Sequence, residues 1–139
     1  MRIFLALFIS FSISIPANAQ LYDMVEKSPD NIGDRTVMLD LLRAELFREF
    51  GQEFIFVVKH FTSDSQYAWF MGNAQRKDGK PVRFSDPGSY DCCHVEALFR
   101  KTRGRWTLVE HGAFATDAWW QGISYRYPQA TKGIFGNIR

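Results

Sequence analysis

His94, Glu96 and His111 are the side chains of this 139-residue chain best suited to chemistry. If residues 93–101 and 105–114 form a hairpin turning at Arg103 and Gly104, Thr102 faces Arg105 and Glu96 faces His111. His94 then lies diagonal to His111 at about 7 to 8 Å between backbones, a span that long side chains cross. Two imidazoles and a carboxylate on one sheet face suit acid–base catalysis, or coordination of zinc or copper. The same residues are also ordinary cross-strand partners, and a slip of one residue separates them. Asp117, beside Thr116, is a further acid candidate and equally a first-turn helix charge.

The two cysteines, Cys92 and Cys93, are adjacent, so a bond between them staples no loop. Neighbouring Cα atoms are about 3.8 Å apart across a trans peptide, short of the roughly 4.4–6.8 Å that disulfides prefer. Such a bond is therefore expected to be strained. Two packing thiols, a redox-active vicinal bond, an intermolecular bridge, or a soft-metal site completed by His94 all remain open. Trp69, Trp119 and Trp120 suit either a ligand or partner surface or a core. No Walker loop, GxSxG elbow, HExxH helix or paired CxxC occurs, and no cofactor is implied.

Lys and Arg total 17 against 15 Asp and Glu, a balance that argues against nucleic-acid or anionic-membrane binding. The basic run Arg100, Lys101, Arg103 and Arg105 fits a solvated hairpin turn. Arg2, the apolar run from Ile3 to Ile15 and the small-residue end Ala17-Asn18-Ala19 form the pattern of a cleavable export signal over residues 1–19. The run falls short of the about 20 apolar residues a spanning helix needs, and no cysteine at the cleavage point supports a lipid anchor. Residues 20–139 then form one domain, periplasmic or secreted, with no stable membrane anchor.

A helix is expected from Asp34, as N-cap, to a stop at Gly51, with Met38, Leu39, Leu42, Leu46 and Phe50 on one arc. Four strands follow, in EFIFVVKHF, QYAWFMGNA, CHVEALFRK and RWTLVEHGAF. Residues 75–90, rich in Gly and Pro turn signals, form the candidate mobile or ligand-facing loop. Thr116 caps a short last helix through Ile123, ended before Pro128. The expected fold is α+β: an N-terminal helix packed on a curved four-stranded antiparallel sheet, with a short C-terminal helix.

That element order resembles the cystatin-like and NTF2-like folds. In YAWFMGNAQ, in VEALFRKTRGRWTLVEHGAFATDAWW, and in RTVMLDLLR, the chain resembles a family of small uncharacterised exported bacterial proteins. The resemblance rests on Ala68-Trp69, Ala97 to Lys101, Gly104 to Glu110 and Thr116 to Trp119. It implies the fold and brings no functional residues.

Strands one and two are apolar on both faces, Phe54, Phe56 and Val58 on one and Ile55, Val57 and Phe61 on the other. Either the last helix or a second molecule covers the outer face, which suggests a homodimer or a periplasmic protein partner. The leading expectation is an exported, non-enzymatic binding or interaction protein. The alternatives are a small NTF2-like enzyme using a His/Glu acid–base pair, and a metal or redox site at Cys92, Cys93 and His94.

Overall fold

The computed structural model describes residues 19–138. The expected export signal lies outside the described residues, apart from Ala19. No helix among the described residues is long and apolar enough to cross a membrane.

The chain folds as strand β1 (Tyr22–Asp23), helix α1 (Ile32–Phe50), then β2 (Phe54–Ser63), β3 (Tyr67–Arg76), β4 (His94–Thr102) and β5 (Arg105–Ala113). The five strands form one antiparallel sheet in sequence order. This corrects the expected four-stranded sheet with a helix at its start. Residues 20–31, ahead of the helix, contain β1, whose two residues pair with Ser63 and Thr62. Two residues are too few to show a strand period in the sequence.

Helix α1 forms because Met38, Leu39, Leu42 and Leu46 recur at helical spacing and are all buried against the sheet. It starts at Ile32, after an Asn31–Ser28 pair that exchanges hydrogen bonds. Asp34 lies in the first turn instead of at the cap, and accepts from Lys101 Nζ at 3.1 Å. At the other end Gly51 takes a left-handed φ of 64° and donates its N–H to Phe47 at 2.8 Å, the stop expected for glycine.

The inner sheet face meets α1 in a core built on Phe61, Phe70, Phe99, Phe114 and the buried helix leucines. Residues 77–93 close one end of this core. Phe84 stacks on Tyr90 at 4.8 Å, and Phe84 and Tyr90 both pack on Phe50. The connection expected to face a ligand is thus partly anchored by its own aromatic side chains.

The outer face carries a second cluster in which Ile123, Ala130, Ile134 and Phe135 pack on Tyr67, Trp69 and Leu98. The short last helix, α2 (Ile123–Arg126), is only four residues long and follows Gly122 at φ 74°. It replaces the longer helix expected from Thr116, because residues 116–122 turn tightly to bring Trp119 and Trp120 onto the sheet.

Two irregularities decide which side chains share a face. In β2 the pairing shifts between Val58 and His60, leaving Lys59 as an extra residue. Phe61 therefore joins the inner core, correcting its expected place beside Ile55 and Val57. In β5 the pairing shifts between Leu98 and Phe99, leaving Val109 extra.

Candidate functional site

The β4–β5 hairpin turns as the sequence suggests: Arg103 and Gly104 have φ of 52° and 74°, and Thr102 faces Arg105. Beyond the extra residue at Val109 the register is displaced by one, so Glu96 faces Gly112 and His111 faces Ala97. The structure brings His94 and Glu96 together on the outer face and removes His111 from them. His111 turns toward α1, where its Nε2 lies 3.3 Å from Glu49 Oε2.

Glu96 is 4% exposed, an unusual depth for a carboxylate. Both its oxygens are occupied. Oε1 lies 2.9 Å from His94 Nδ1, and Oε2 accepts from Trp119 Nε1 at 3.1 Å. The second His94 nitrogen meets the Ala115 carbonyl at 2.9 Å. Each His94 ring nitrogen thus has an oxygen partner, one from a side chain and one from the main chain.

Local structure makes this network possible at two points. Phe114, directly after β5, takes a left-handed conformation, φ 59°, with its ring in the inner core. That turn carries Ala115 across the sheet end to His94. Gly112, opposite Glu96, leaves room for the Trp119 indole: a Cβ there would stand 2.0 Å from Trp119 Nε1. The network therefore clasps the segment after β5 onto the outer face.

The other candidates are dispersed. Trp69 is fully buried and touches Trp119 and Phe135 at ring distances of 5.9 and 5.7 Å, which makes it core. Trp120 borders a shallow groove with His60, Met71 and Phe135. Asp117 is exposed in the turn before α2. Cys92 and Cys93 are bonded to each other just before β4, where the sequence had left free thiols open. Among the described residues no three His, Cys, Asp or Glu side chains gather as a metal site.

What the sequence reading passes over is the free edge of β2. Lys77 donates its N–H to the Glu53 carbonyl at 2.9 Å, so Glu53, Ile55 and Val57 bond toward β3. By antiparallel alternation Phe54, Phe56 and Val58 then point their N–H and C=O groups away from the sheet. The short β1 segment reaches only Ser63, Thr62 and, through the Met24 N–H at 2.7 Å, Phe61. Among the described residues no strand lies beyond Phe54 to Val58. On the outer face beside that edge Ile55 and Val57 are 44% and 47% exposed, and on the helix side Phe47 is 54% exposed. Between α1 and this edge runs a groove of about 530 Å³, lined by Arg43, Ala44, Phe47 and Phe54 among others. The signal for this edge was in the sequence, as FIFVVKHF without alternation.

Comparison of the chain with protein-family models, curated proteins and solved structures finds no match.

Proposed function

We propose that the chain is a small exported interaction protein whose binding element is the open edge of β2, taking an extended segment of a partner as an added strand. The observation that carries this reading is the row of main-chain groups at Phe54, Phe56 and Val58 that have no strand partner among the described residues, flanked by exposed Ile55, Val57 and Phe47. Soluble domains generally blunt such an edge with charge, proline or a covering loop. Here residues 54–58 hold no charge or proline, and the Lys59 bulge lies just beyond Val58. Strand addition draws affinity from main-chain hydrogen bonds and specificity from the alternate side chains beside them. The export pattern of residues 1–19 supports a site of action outside the cytoplasm, where the exposed edge meets other exported chains.

The test is site-specific photo-crosslinking in the exporting cell. A benzophenone side chain at residue 57 is expected to give discrete adducts, and Ile55→Lys in the same chain is expected to abolish them. The same probe at Arg103, on the distant hairpin, is expected to give none. Absence of any adduct at residue 57, or equal adducts at both positions, overturns the reading.

A further inference from the structure

We infer that the partner of the β2 edge is a second copy of this chain, joined by antiparallel pairing of β2 with β2 about a twofold axis at Phe56. The inference rests on the reading of that edge as a binding element and names its occupant.

The argument begins with self-complementarity. An isologous twofold contact must match one surface with itself. The segment Glu53-Phe54-Ile55-Phe56-Val57-Val58-Lys59 does so when read against its own reverse. Phe56 meets Phe56 of the second copy, Ile55 meets Val57, Phe54 meets Val58, and Glu53 comes level with Lys59 at each end. Every apolar residue faces an apolar one, and the two end charges are opposite in sign.

The backbone selects the same register. Phe54, Phe56 and Val58 are the residues whose main-chain groups point outward. Centring the axis on Phe56 makes 54–58, 56–56 and 58–54 the hydrogen-bonded pairs, so each outward N–H and C=O has a partner. Ile55 and Val57 become the non-hydrogen-bonded pairs, in which side chains approach more closely. The neighbouring registers that keep the outward groups paired fail on side chains. Moving the axis to Ile55 sets Glu53 against Val57, and moving it to Val57 sets Ile55 against Lys59.

The surroundings leave space for it. Ile55, Val57 and Lys59 are exposed, as is Glu53, whose charged neighbour Lys77 Nζ is 3.8 Å away across the β2–β3 pair. On the helix side, Val58 of the second copy arrives above Phe54 beside the groove that Phe47 leaves open. Pairing closes both open edges at once and yields one continuous sheet of ten strands, twice the five of a single chain. On its outer face the Ile55 and Val57 side chains of both copies form one apolar strip.

The test is a charge exchange measured by sedimentation velocity on the purified mature chain. Wild type is expected to show a concentration-dependent monomer–dimer equilibrium. Glu53→Lys and Lys59→Glu, both at exposed positions, are each expected to raise the dimer Kd by about tenfold, since each turns two attractive pairs into two repulsive ones. The double exchange Glu53→Lys with Lys59→Glu is expected to recover dimerisation to within about threefold of wild type. Circular dichroism of each variant confirms that the fold is retained. A wild-type chain that stays monomeric across the concentration range overturns the inference, as does a dimer that the double exchange fails to recover. In the crosslinking experiment, adducts whose mass differs from two chains leave the edge as a binding element and overturn the second copy as its occupant. No adduct at all overturns both.

Discussion

Glu96 holds a carboxylate in a place where an unpaired charge is costly, and its two partners come from different parts of the chain: His94 two residues before it, and Trp119 beyond the end of β5. Gly112 is the residue that admits this arrangement. Adding one carbon there sets a Cβ 2.0 Å from Trp119 Nε1 and 2.4 Å from its Cδ1, closer than side chains approach without displacement. Gly112→Ala is therefore expected to push the indole off the sheet and leave Glu96 Oε2 without its donor. The combined steric and hydrogen-bond loss is roughly 2–4 kcal/mol. Urea unfolding measures the loss, and a red shift of tryptophan emission at zero urea reports the displaced indole. An unchanged midpoint and spectrum would show that Trp119 does not depend on the gap at Gly112.

The segment 116–138 acts as a cover for the outer face, and it is held by contacts of two kinds. Ile134 is fully buried against Trp69 and Leu98, while its carbonyl accepts from His60 Nε2 at 2.6 Å. Thr131 donates its N–H to Asp64 at 2.7 Å, and Tyr127 donates to Glu110 at 2.7 Å. Ile134→Ala removes the buried side chain and leaves the backbone bonds, with an expected cost of roughly 2–5 kcal/mol. Tyr125→Ala, at a residue 83% exposed in the same segment, is expected to stay within about 0.5 kcal/mol of wild type. Equal effects of the two in urea titration would show that the cover contributes no packing. The main elements were legible in the sequence because each carries a local signal: helical spacing of Met38, Leu42 and Leu46 for α1, apolar runs for β2 to β5, and Arg103-Gly104 for the hairpin turn. The extra residues at Lys59 and Val109 carry no such mark, since a strand with one residue too many reads like a regular one. That is why His94 and Glu96 keep the shared face expected of them, while His111, expected opposite Glu96, lies opposite Ala97 on the other face. The cover was legible only as one of two alternatives, the last helix or a second molecule on the apolar outer face, because its contacts join positions far apart in the chain.

The cover is tied to the sheet by two ionisable groups displaced in opposite directions, which bounds the pH range over which the fold stays closed. Burial on its own would raise the Asp64 carboxyl, but the N–H groups of Thr131, Tyr67 and Gln66 outweigh it and hold the group below its ordinary 3.8. A carboxyl held low in the folded chain contributes stability above its unfolded value, and that contribution is lost as pH falls through the folded value. Tyr127 is displaced the other way. Burial first, then the hydrogen bond to Glu110 and that carboxylate's charge, push its phenol from 10.0 up to about 12. A phenol held high contributes stability that is complete below the unfolded value of 10.0 and is lost as pH rises toward about 12. The outer-face cover is therefore expected to loosen at both extremes, below pH 3.8 through Asp64 and between pH 10.0 and about 12 through Tyr127. Tryptophan emission followed across that range reads the loosening directly, because Trp119 and Trp120 belong to the cover and Trp69 is buried beneath it. Asp64→Asn is expected to flatten the acid arm and leave the alkaline one, and Tyr127→Phe is expected to do the reverse. If either substitution changed both arms alike, the two anchors would be reporting global unfolding instead of release of the cover. Separate arms would place the least stable part of the molecule on the outer face, away from the β2 edge, so that an intact binding edge and a loosened cover can coexist.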